Sequence, residues 1–337
     1  MNRLNNTGGE ALPEALRTLF GREITDADWE SVQLQGGDVG DVKLLTGVAK
    51  SVDGDSLPFR IVHKVQKKWA RPGDENSWRR EYDLYASALG EVFIEALRWP
   101  KCCLAKDSGE ETELWMEYIE GVSGNSLTPD MLERTALEMG HFQGKLCAEK
   151  PPVLRNISNL SAPAFLESDY TRWRSAPVYR YIRSDDCTIP THLREMYLRL
   201  EDDLPEIMAR IEKLPVVLCH RDLWLENIFF RDGEIVLIDW DTAGWGYLGE
   251  DIASLIADDV TVDHMTDYYC SFIPAYYRGL AEHIDVSGIS DHCIREMILL
   301  RFGYRFVGDY FYGETEEQRA EALRGMQAVY DMKEIGI

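Results

Sequence analysis

The sequence has no long apolar segment, no paired-cysteine spacing and no excess of basic residues. No apolar run approaches the roughly 18 residues that a membrane helix needs, so we expect neither a membrane span nor a membrane partner. The first ten residues lack the apolar core of a secretory signal, which predicts a cytoplasmic location. The seven cysteines are odd in number and show no CxxC spacing. They favour scattered reduced core thiols over a redox pair at the adjacent Cys102 and Cys103, and no structural metal site is expected.

Negative charge is abundant. The chain carries 59 Asp and Glu against 36 Lys and Arg, a net charge of −23. A nucleic-acid partner is not expected, because phosphate backbones require a basic surface. An acidic surface attracts cationic ligands, but it also simply keeps a protein soluble, and both interpretations stay open. The oligomeric state is not indicated.

One segment carries most of the chemical information. His220-Arg221-Asp222, followed by Asn227, matches the kinase catalytic-loop pattern H-R-D-L-x-x-x-N. A short apolar run then leads to Asp239. In such a pattern Asp222 accepts a proton from a hydroxyl nucleophile, while Asn227 and Asp239 hold the magnesium that bridges ATP phosphates. The alternative is a buried ion-pair cluster, but the predicted strand before the loop and the predicted hairpin after it favour catalysis.

The residues after Asp239 resemble one family of kinases. Asp239-Trp240-Asp241-Thr-Ala-Gly244 is followed by Asp251-Ile-Ala253, and no Ala-Pro-Glu closes an activation segment. Trp224 also stands where protein kinases usually carry lysine. The chain therefore resembles the aminoglycoside phosphotransferase and choline kinase superfamily over most of its length, although only this segment is highly specific. The resemblance implies an α+β, bilobal protein-kinase-like fold with a small antiparallel β-sheet N-lobe and a larger, mainly helical C-lobe.

A strand lysine is the candidate phosphate ligand. Ile61-Val62-His63-Lys64 has the shape of the V-A-I-K strand, whose lysine contacts the nucleotide phosphates. Lys67 and Lys68 are the alternatives. The resemblance implies a carboxylate partner on the next helix, Glu81, with Glu75 as the alternative.

Two further segments are candidates for nucleotide binding. The predicted hairpin after the first strand carries glycines that let the backbone close over phosphates, although an ordinary glycine turn explains them equally well. The strand from Leu114 leads, in the superfamily, to the hinge that binds adenine. The candidate residues are Gly36, Gly37 and Gly40 in the hairpin, and Met116, Glu117, Tyr118 and Ile119 at the hinge.

The remaining candidates are supporting and substrate residues. His220 and Arg221 are expected to hold the catalytic loop. The resemblance implies that Asp251, at a helix start, supports that loop by hydrogen bonds. Acids after the catalytic segment are candidates for contact with a cationic substrate: Asp241, Glu250, Asp258 and Asp259. For Asp241 the alternative is a role in holding the metal, because on a strand it would share a face with Asp239.

The predicted organisation has two domains. Residues 1–118 form a β-rich nucleotide-binding lobe with leading helices, one over Glu10–Phe20 and a second beginning at Thr25–Trp29. Residues 119–337 form a helical lobe that contains the catalytic hairpin and a substrate-binding insertion at about 151–213.

The predicted function is ATP- and Mg²⁺-dependent transfer of the γ-phosphate to a hydroxyl of a small cationic molecule, such as an aminoglycoside, choline, ethanolamine or a related amino alcohol or sugar. The alternative is a catalytically silent nucleotide-binding regulatory protein on the same scaffold. The presence of Asp222, Asn227, Asp239 and Lys64 favours the enzyme.

Overall fold

The computed structural model describes residues 2–3, 11–34, 40–69, 74–157, 159–160, 165–258, 260–289 and 292–335. The first part is built on one sheet of six antiparallel strands in the order β1-β2-β3-β4-β7-β6. These strands are β1 (Asn2–Arg3), β2 (Ile24–Gln33), β3 (Gly40–Ser51), β4 (Ser56–Lys67), β6 (Cys102–Asp107) and β7 (Glu111–Glu117). Strand β5 (Leu97–Arg98) lies between β4 and β6 in sequence and belongs to another sheet.

Two helices flank this sheet: α1 (Ala11–Phe20) and α2 (Ser77–Tyr85). Helix α1 buries Leu12, Ala15 and Leu16, an i, i+3, i+4 stripe, in a hydrophobic cluster with Trp29 and Trp115 of the sheet. This cluster is separate from the larger core of the helical region, as expected for two lobes.

The second helix predicted near the N-terminus is wrong, since Thr25–Trp29 lie in strand β2. Ala27 and Trp29 are buried two residues apart, which is the period of a strand. The Asp26 carboxylate accepts from the Ala27 N–H beside a register irregularity in the β2–β3 pair. Threonine and aspartate are common at helix starts, so the local sequence favoured a helix, but the pairing of this segment with β3 decides its structure.

The rest of the chain is mainly helical and confirms the predicted fold class. Its strands form two small sheets: β5-β11-β10-β8, and β12-β9. The strands are β8 (Val122–Ser123), β9 (Val216–Cys219), β10 (Ile228–Arg231), β11 (Glu234–Leu237) and β12 (Gly244–Tyr247). The helices are α3 (Pro129–Glu149), α4 (Val153–Asn156), α5 (Phe165–Trp173), α6 (Ala176–Arg183), α7 (Thr191–Ile211), α8 (Glu250–Ala257), α9 (Met265–Ala281), α10 (His292–Ile298), α11 (Tyr304–Tyr312) and α12 (Glu316–Asp331).

The predicted hairpin after the catalytic loop is present. Strands β10 and β11 pair antiparallel from Ile228–Leu237 to Arg231–Glu234, with a turn at Asp232-Gly233. The hairpin forms the centre of its four-stranded sheet, because β11 also pairs with β5 and β10 also pairs with β8. None of the helices in the described ranges combines the length and apolar character required to cross a membrane.

Candidate active site

Strand β9 ends at Cys219 and delivers the loop that contains the H-R-D pattern. Asp251, at the start of α8, accepts from the backbone N–H groups of His220 at 3.0 Å and Arg221 at 2.8 Å. All three side chains are buried. Arg221 has a φ of 68°, a left-handed conformation that a non-glycine residue adopts only when its surroundings impose it. The hydrogen bonds expected of Asp251 are therefore present, and they fix the path of the loop.

His220 joins the loop to the end of β11. Its Nε2 donates to the backbone oxygen of Ile238 at 2.8 Å, and its Nδ1 accepts from the Asp222 N–H at 3.3 Å. The imidazole also packs edge-on against the buried Trp240 ring, with ring centroids 4.5 Å apart. These contacts give His220 the structural role that the sequence indicates.

Asp222 and Asn227 are in direct contact. The side-chain amide of Asn227 donates to Asp222 Oδ2 at 2.9 Å and to the Asp222 backbone oxygen at 2.8 Å. Burial raises the pKa of the Asp222 carboxyl above its usual value. The carboxylate of Asp222 is thus held in one orientation, half-buried, at the turn before β10.

Asp239 reaches the same place from the other strand of the hairpin. The Ile238 N–H donates to the Asn227 backbone oxygen at 3.0 Å. Asp239 is the next residue after Ile238, so it lies beside Asn227 at the open end of the hairpin. Asp239 has a φ of 63°, which turns the chain sharply out of β11. Its Oδ1 lies 2.6 Å from Lys64 Nζ. The amide oxygen of Asn227 and the carboxylate of Asp239 are hard oxygen donors of the kind that could hold Mg²⁺.

Lys64 connects the N-terminal sheet to this hairpin. It lies on β4, between Val42 of β3 and Leu114 of β7, and its Nζ is 2.6 Å from Glu81 Oε2 on α2. The predicted Lys64–Glu81 ion pair is confirmed. Burial lowers the pKa of Lys64, but Asp239 and Glu81 outweigh it, so the net pKa lies above its usual value and the ammonium is retained.

The other candidate nucleotide-binding residues are the hairpin glycines and the residues at the end of β7. Gly36 and Gly37 lie outside the described residues, and Gly40 is the first residue of β3. A Cβ at Gly40 would lie 2.7 Å from Gln66 Oε1, which is the far end of a flexible side chain that can move aside, so packing in the strand does not by itself require this glycine. At the end of β7, the Glu117 N–H already donates to the Lys101 backbone oxygen at 2.9 Å.

Around Glu117, Met116 and Ile119 are buried, and the Arg60 guanidinium lies 4.0 Å from the centroid of the Tyr118 ring. Since the N–H of Glu117 already donates to Lys101, Glu117 could contact adenine only through its backbone oxygen. That oxygen and the backbone groups of Tyr118 and Ile119 are the candidates at the hinge.

Glu250 is not a substrate contact. Only 1% of its side chain is exposed, and its carboxylate accepts from the Tyr247 N–H at 2.8 Å and lies 3.4 Å from Arg221 Nε. Burial raises its pKa to about 7, although Arg221 opposes that shift. The prediction is wrong because the sequence did not show that this acid faces a buried arginine.

The other acids differ in their partners. Asp258 is buried, accepts from Arg305 Nη1 at 2.8 Å and lies 4.0 Å from Arg301 Nη2. Asp259 lies outside the described residues. Asp241 lines a small cavity together with Lys64 and Glu81.

Three buried polar residues support the site and were missed from the sequence. Gln143 of α3 donates to Asp251 Oδ2 at 2.9 Å, Arg80 of α2 donates to the Asp241 backbone oxygen at 2.8 Å, and Arg301 donates to the Arg221 backbone oxygen. Each lies more than fifty residues from its partner, and no local motif marks it. For Arg80, adjacency to Glu81 on α2 was the only available signal.

Both the sequence and the fold of this chain are similar to those of known proteins. The model of the phosphotransferase enzyme family, APH, matches residues 79–283, which is more than half of the chain. No curated protein shows significant sequence similarity to it. Similar solved structures include choline kinase from Cryptosporidium parvum Iowa II, which is 16% identical with a TM-score of 0.56 over 91% of this chain and 89% of that one.

Two other solved structures show the same fold. An amicoumacin kinase in complex with AMP-PNP is 14% identical with a TM-score of 0.53, covering 90% of this chain and 88% of that one. An ethanolamine kinase from Plasmodium vivax is 13% identical with a TM-score of 0.50, covering 90% and 81%. At these identities the likeness concerns the fold, while the family match covers the catalytic segment itself. The chain belongs to the phosphotransferase enzyme family.

Proposed function

We propose that this phosphotransferase moves the γ-phosphate of ATP to a hydroxyl of a small molecule. The observation that carries the proposal is a continuous set of contacts joining the four candidate residues. Asp222 contacts Asn227, Asn227 is joined to Ile238 across the hairpin, and Asp239 contacts Lys64. Phosphoryl transfer requires little more than a positioned base, oxygen ligands for a cation and a cationic phosphate contact.

Asp222 is the proposed base, which takes the proton of the acceptor hydroxyl. Its half-buried carboxylate and raised pKa suit a group that must accept a proton. Asn227 and Asp239 would hold Mg²⁺, which supplies charge neutralisation on the phosphates when bound. Asn227 donates through Nδ2 to Asp222, so its other side-chain atom, the carbonyl oxygen, is the donor that a cation would use.

The nucleotide is proposed to bind between the two lobes. The boundary between these lobes is proposed to lie near residues 118 and 119. Lys64, oriented by Glu81, would contact the α- and β-phosphates, and the backbone of Tyr118 and Ile119 would hold adenine beside Met116. The amicoumacin kinase with a similar fold is in complex with AMP-PNP, which supports nucleotide use in this scaffold. The segment 151–213 would contribute to the acceptor site.

Replacing Lys64 with alanine should weaken Mg-ATP binding by roughly 10–100-fold, because a charge-assisted contact is worth about 1.5–3 kcal/mol. Lys67→Ala and Lys68→Ala are matched controls, since both lysines are exposed at or just beyond the end of β4 and remove the same charge. Titration calorimetry with Mg-ATP measures all three. Equal affinities would show that Lys64 does not bind the nucleotide.

The acceptor is proposed to be cationic. Support comes from the net charge of −23 and from Asp241, the candidate acid that lines the cavity beside Lys64. Carboxylates and aromatic faces attract ammonium groups, with cation–π contacts worth about 0.5–2 kcal/mol each. The pairing of Asp258 with Arg305 and the burial of Glu250 remove those two acids from this argument.

A screen of hydroxyl compounds for phosphorylated product with ATP tests both levels of the proposal. We expect the best acceptor to carry an amine and its KM to rise with ionic strength more than the KM for Mg-ATP does, because exposed charges are screened over about 8–10 Å. A neutral sugar with a salt-insensitive KM would refute the cationic acceptor but leave the kinase. Mg-ATP binding without transfer to any compound would favour the catalytically silent alternative.

A further inference from the structure

A π-helical turn places one arginine behind the catalytic loop. Residues Leu299–Gly303 form this turn between α10 and α11, and Arg301 lies at its centre. Wide turns of this kind recur at functional sites, because they redirect a side chain that a regular helix would aim elsewhere. Arg301 lies beyond the segment 79–283 that the family model matches, and only 5% of it is exposed.

The guanidinium of Arg301 connects three separate elements. Its Nη2 donates to the backbone oxygen of Arg221 and lies 4.0 Å from Asp258 Oδ2, just after α8. Its Nε lies 3.2 Å from Asp169 Oδ2 on α5. Asp169 is itself largely buried, and burial raises the pKa of its carboxyl although Arg301 lowers it. The turn, the catalytic loop and the 151–213 segment therefore meet at one side chain.

The contact with Arg221 matters because of which peptide it holds. The backbone oxygen of Arg221 belongs to the peptide that joins Arg221 to Asp222, so its direction sets the direction in which Asp222 leaves the loop. Arg221 also has a φ of 68°, a conformation that persists only where the surroundings hold it. Asp251 fixes the N–H groups on one side of this residue, and Arg301 fixes the carbonyl on the other.

We propose that Arg301 is a positioning residue for Asp222 and that, through Asp169, it links the placement of Asp222 to the 151–213 segment. The inference rests on the proposed role of Asp222 as the base. A planar guanidinium can donate to several acceptors in fixed directions, whereas a lysine ammonium cannot reproduce that geometry. The π-helical turn places the buried arginine where it can orient the peptide that joins Arg221 to Asp222.

The kinetic test compares Arg301→Lys and Arg301→Met with Arg295→Met. Arg295 is a matched control on α10, half-buried and hydrogen-bonded to the Val329 backbone oxygen at 2.9 Å, away from the catalytic loop. A displaced base costs rate rather than nucleotide affinity, and misplacement by about 1 Å is worth on the order of 100-fold. Arg301→Met should lower kcat by roughly 100-fold with KM for Mg-ATP within about twofold, and Arg301→Lys should recover part of that loss. Arg295→Met should keep kcat.

A second measurement needs no acceptor. Amide hydrogen exchange of the peptide covering residues 219–227 should be faster in both Arg301 variants than in Arg295→Met, at matched thermal stability. Faster exchange with a lowered kcat supports the proposal. Unchanged exchange in this peptide, or unchanged kcat despite faster exchange, overturns it. If Arg301→Met does not fold, Arg301→Lys decides by the same two readouts.

The exchange result also separates this proposal from the function on which it rests. If no compound is phosphorylated by the wild-type protein, the proposed function fails, while exchange still shows whether Arg301 holds the loop. If the wild-type protein transfers no phosphate, and the loop exchanges no faster in the Arg301 variants than in Arg295→Met, both the proposed function and the proposed role of Arg301 are refuted. Asp169→Asn provides an independent check, since it should lower kcat in the same direction and combine non-additively with Arg301→Lys.

Discussion

Asp222→Asn is expected to lower kcat for phosphoryl transfer by about 10²–10⁴-fold, the range for loss of a positioned general base. Asparagine has nearly the same shape as aspartate and keeps an oxygen that can accept from the Asn227 amide. The substitution therefore removes basicity with little change of geometry. Affinity for Mg-ATP should remain close to that of the wild type, because Lys64 and the hinge are untouched.

Glu226→Gln is the matched control for this variant. Glu226 is exposed in the same short turn, so the change removes one carboxylate charge four residues from Asp222. Its kcat should stay within about twofold of wild type, as for surface changes away from a site. Steady-state kinetics of product formation measures both variants. Wild-type turnover in Asp222→Asn would exclude Asp222 as the base, whereas a loss shared with Glu226→Gln would indicate a general effect of charge.

The catalytic hairpin was predictable because its information is local. The strand before the loop, the turn at Asp232-Gly233 and the apolar run before Asp239 are all contiguous in sequence. Their order alone places Asp222 and Asp239 at the same end of one hairpin. The Lys64–Glu81 pair was predictable for a different reason, since the superfamily resemblance supplied the partner that spacing alone leaves open.

What the sequence did not show is which charges face each other in the core. Glu250 follows the catalytic segment closely and looks like a substrate-facing acid, but it is buried against Arg221. Arg301 is eighty residues from Arg221 and depends on a π-helical turn that leaves no pattern in composition. The helix predicted at Thr25–Trp29 is wrong for a related reason, because residue types that favour a helix start locally are held in a strand by pairing with β3.

The Arg221–Glu250 pair should be the most sensitive charged contact for stability. Both side chains are essentially unexposed, at 0% and 1%, and they lie 3.4 Å apart. Removing one member of a buried pair leaves an uncompensated charge, which costs about 3–5 kcal/mol. Glu250→Ala also leaves the Tyr247 N–H without its acceptor. The free energy of unfolding should therefore fall by roughly that amount, measured by urea denaturation at pH 8.

The control is Glu321→Ala on α12, which removes an exposed glutamate and should stay within about 0.5 kcal/mol of wild type. Glu250→Gln separates charge from shape, because it keeps an oxygen for the Tyr247 N–H but removes the negative charge beside Arg221. Its loss of stability should be smaller than that of Glu250→Ala. If Glu250→Ala unfolds at the same urea concentration as Glu321→Ala, the carboxylate does not hold Arg221 in the core. The left-handed backbone at Arg221 must then be stabilised by its other contacts, which include those with Asp251, Arg301 and Trp245.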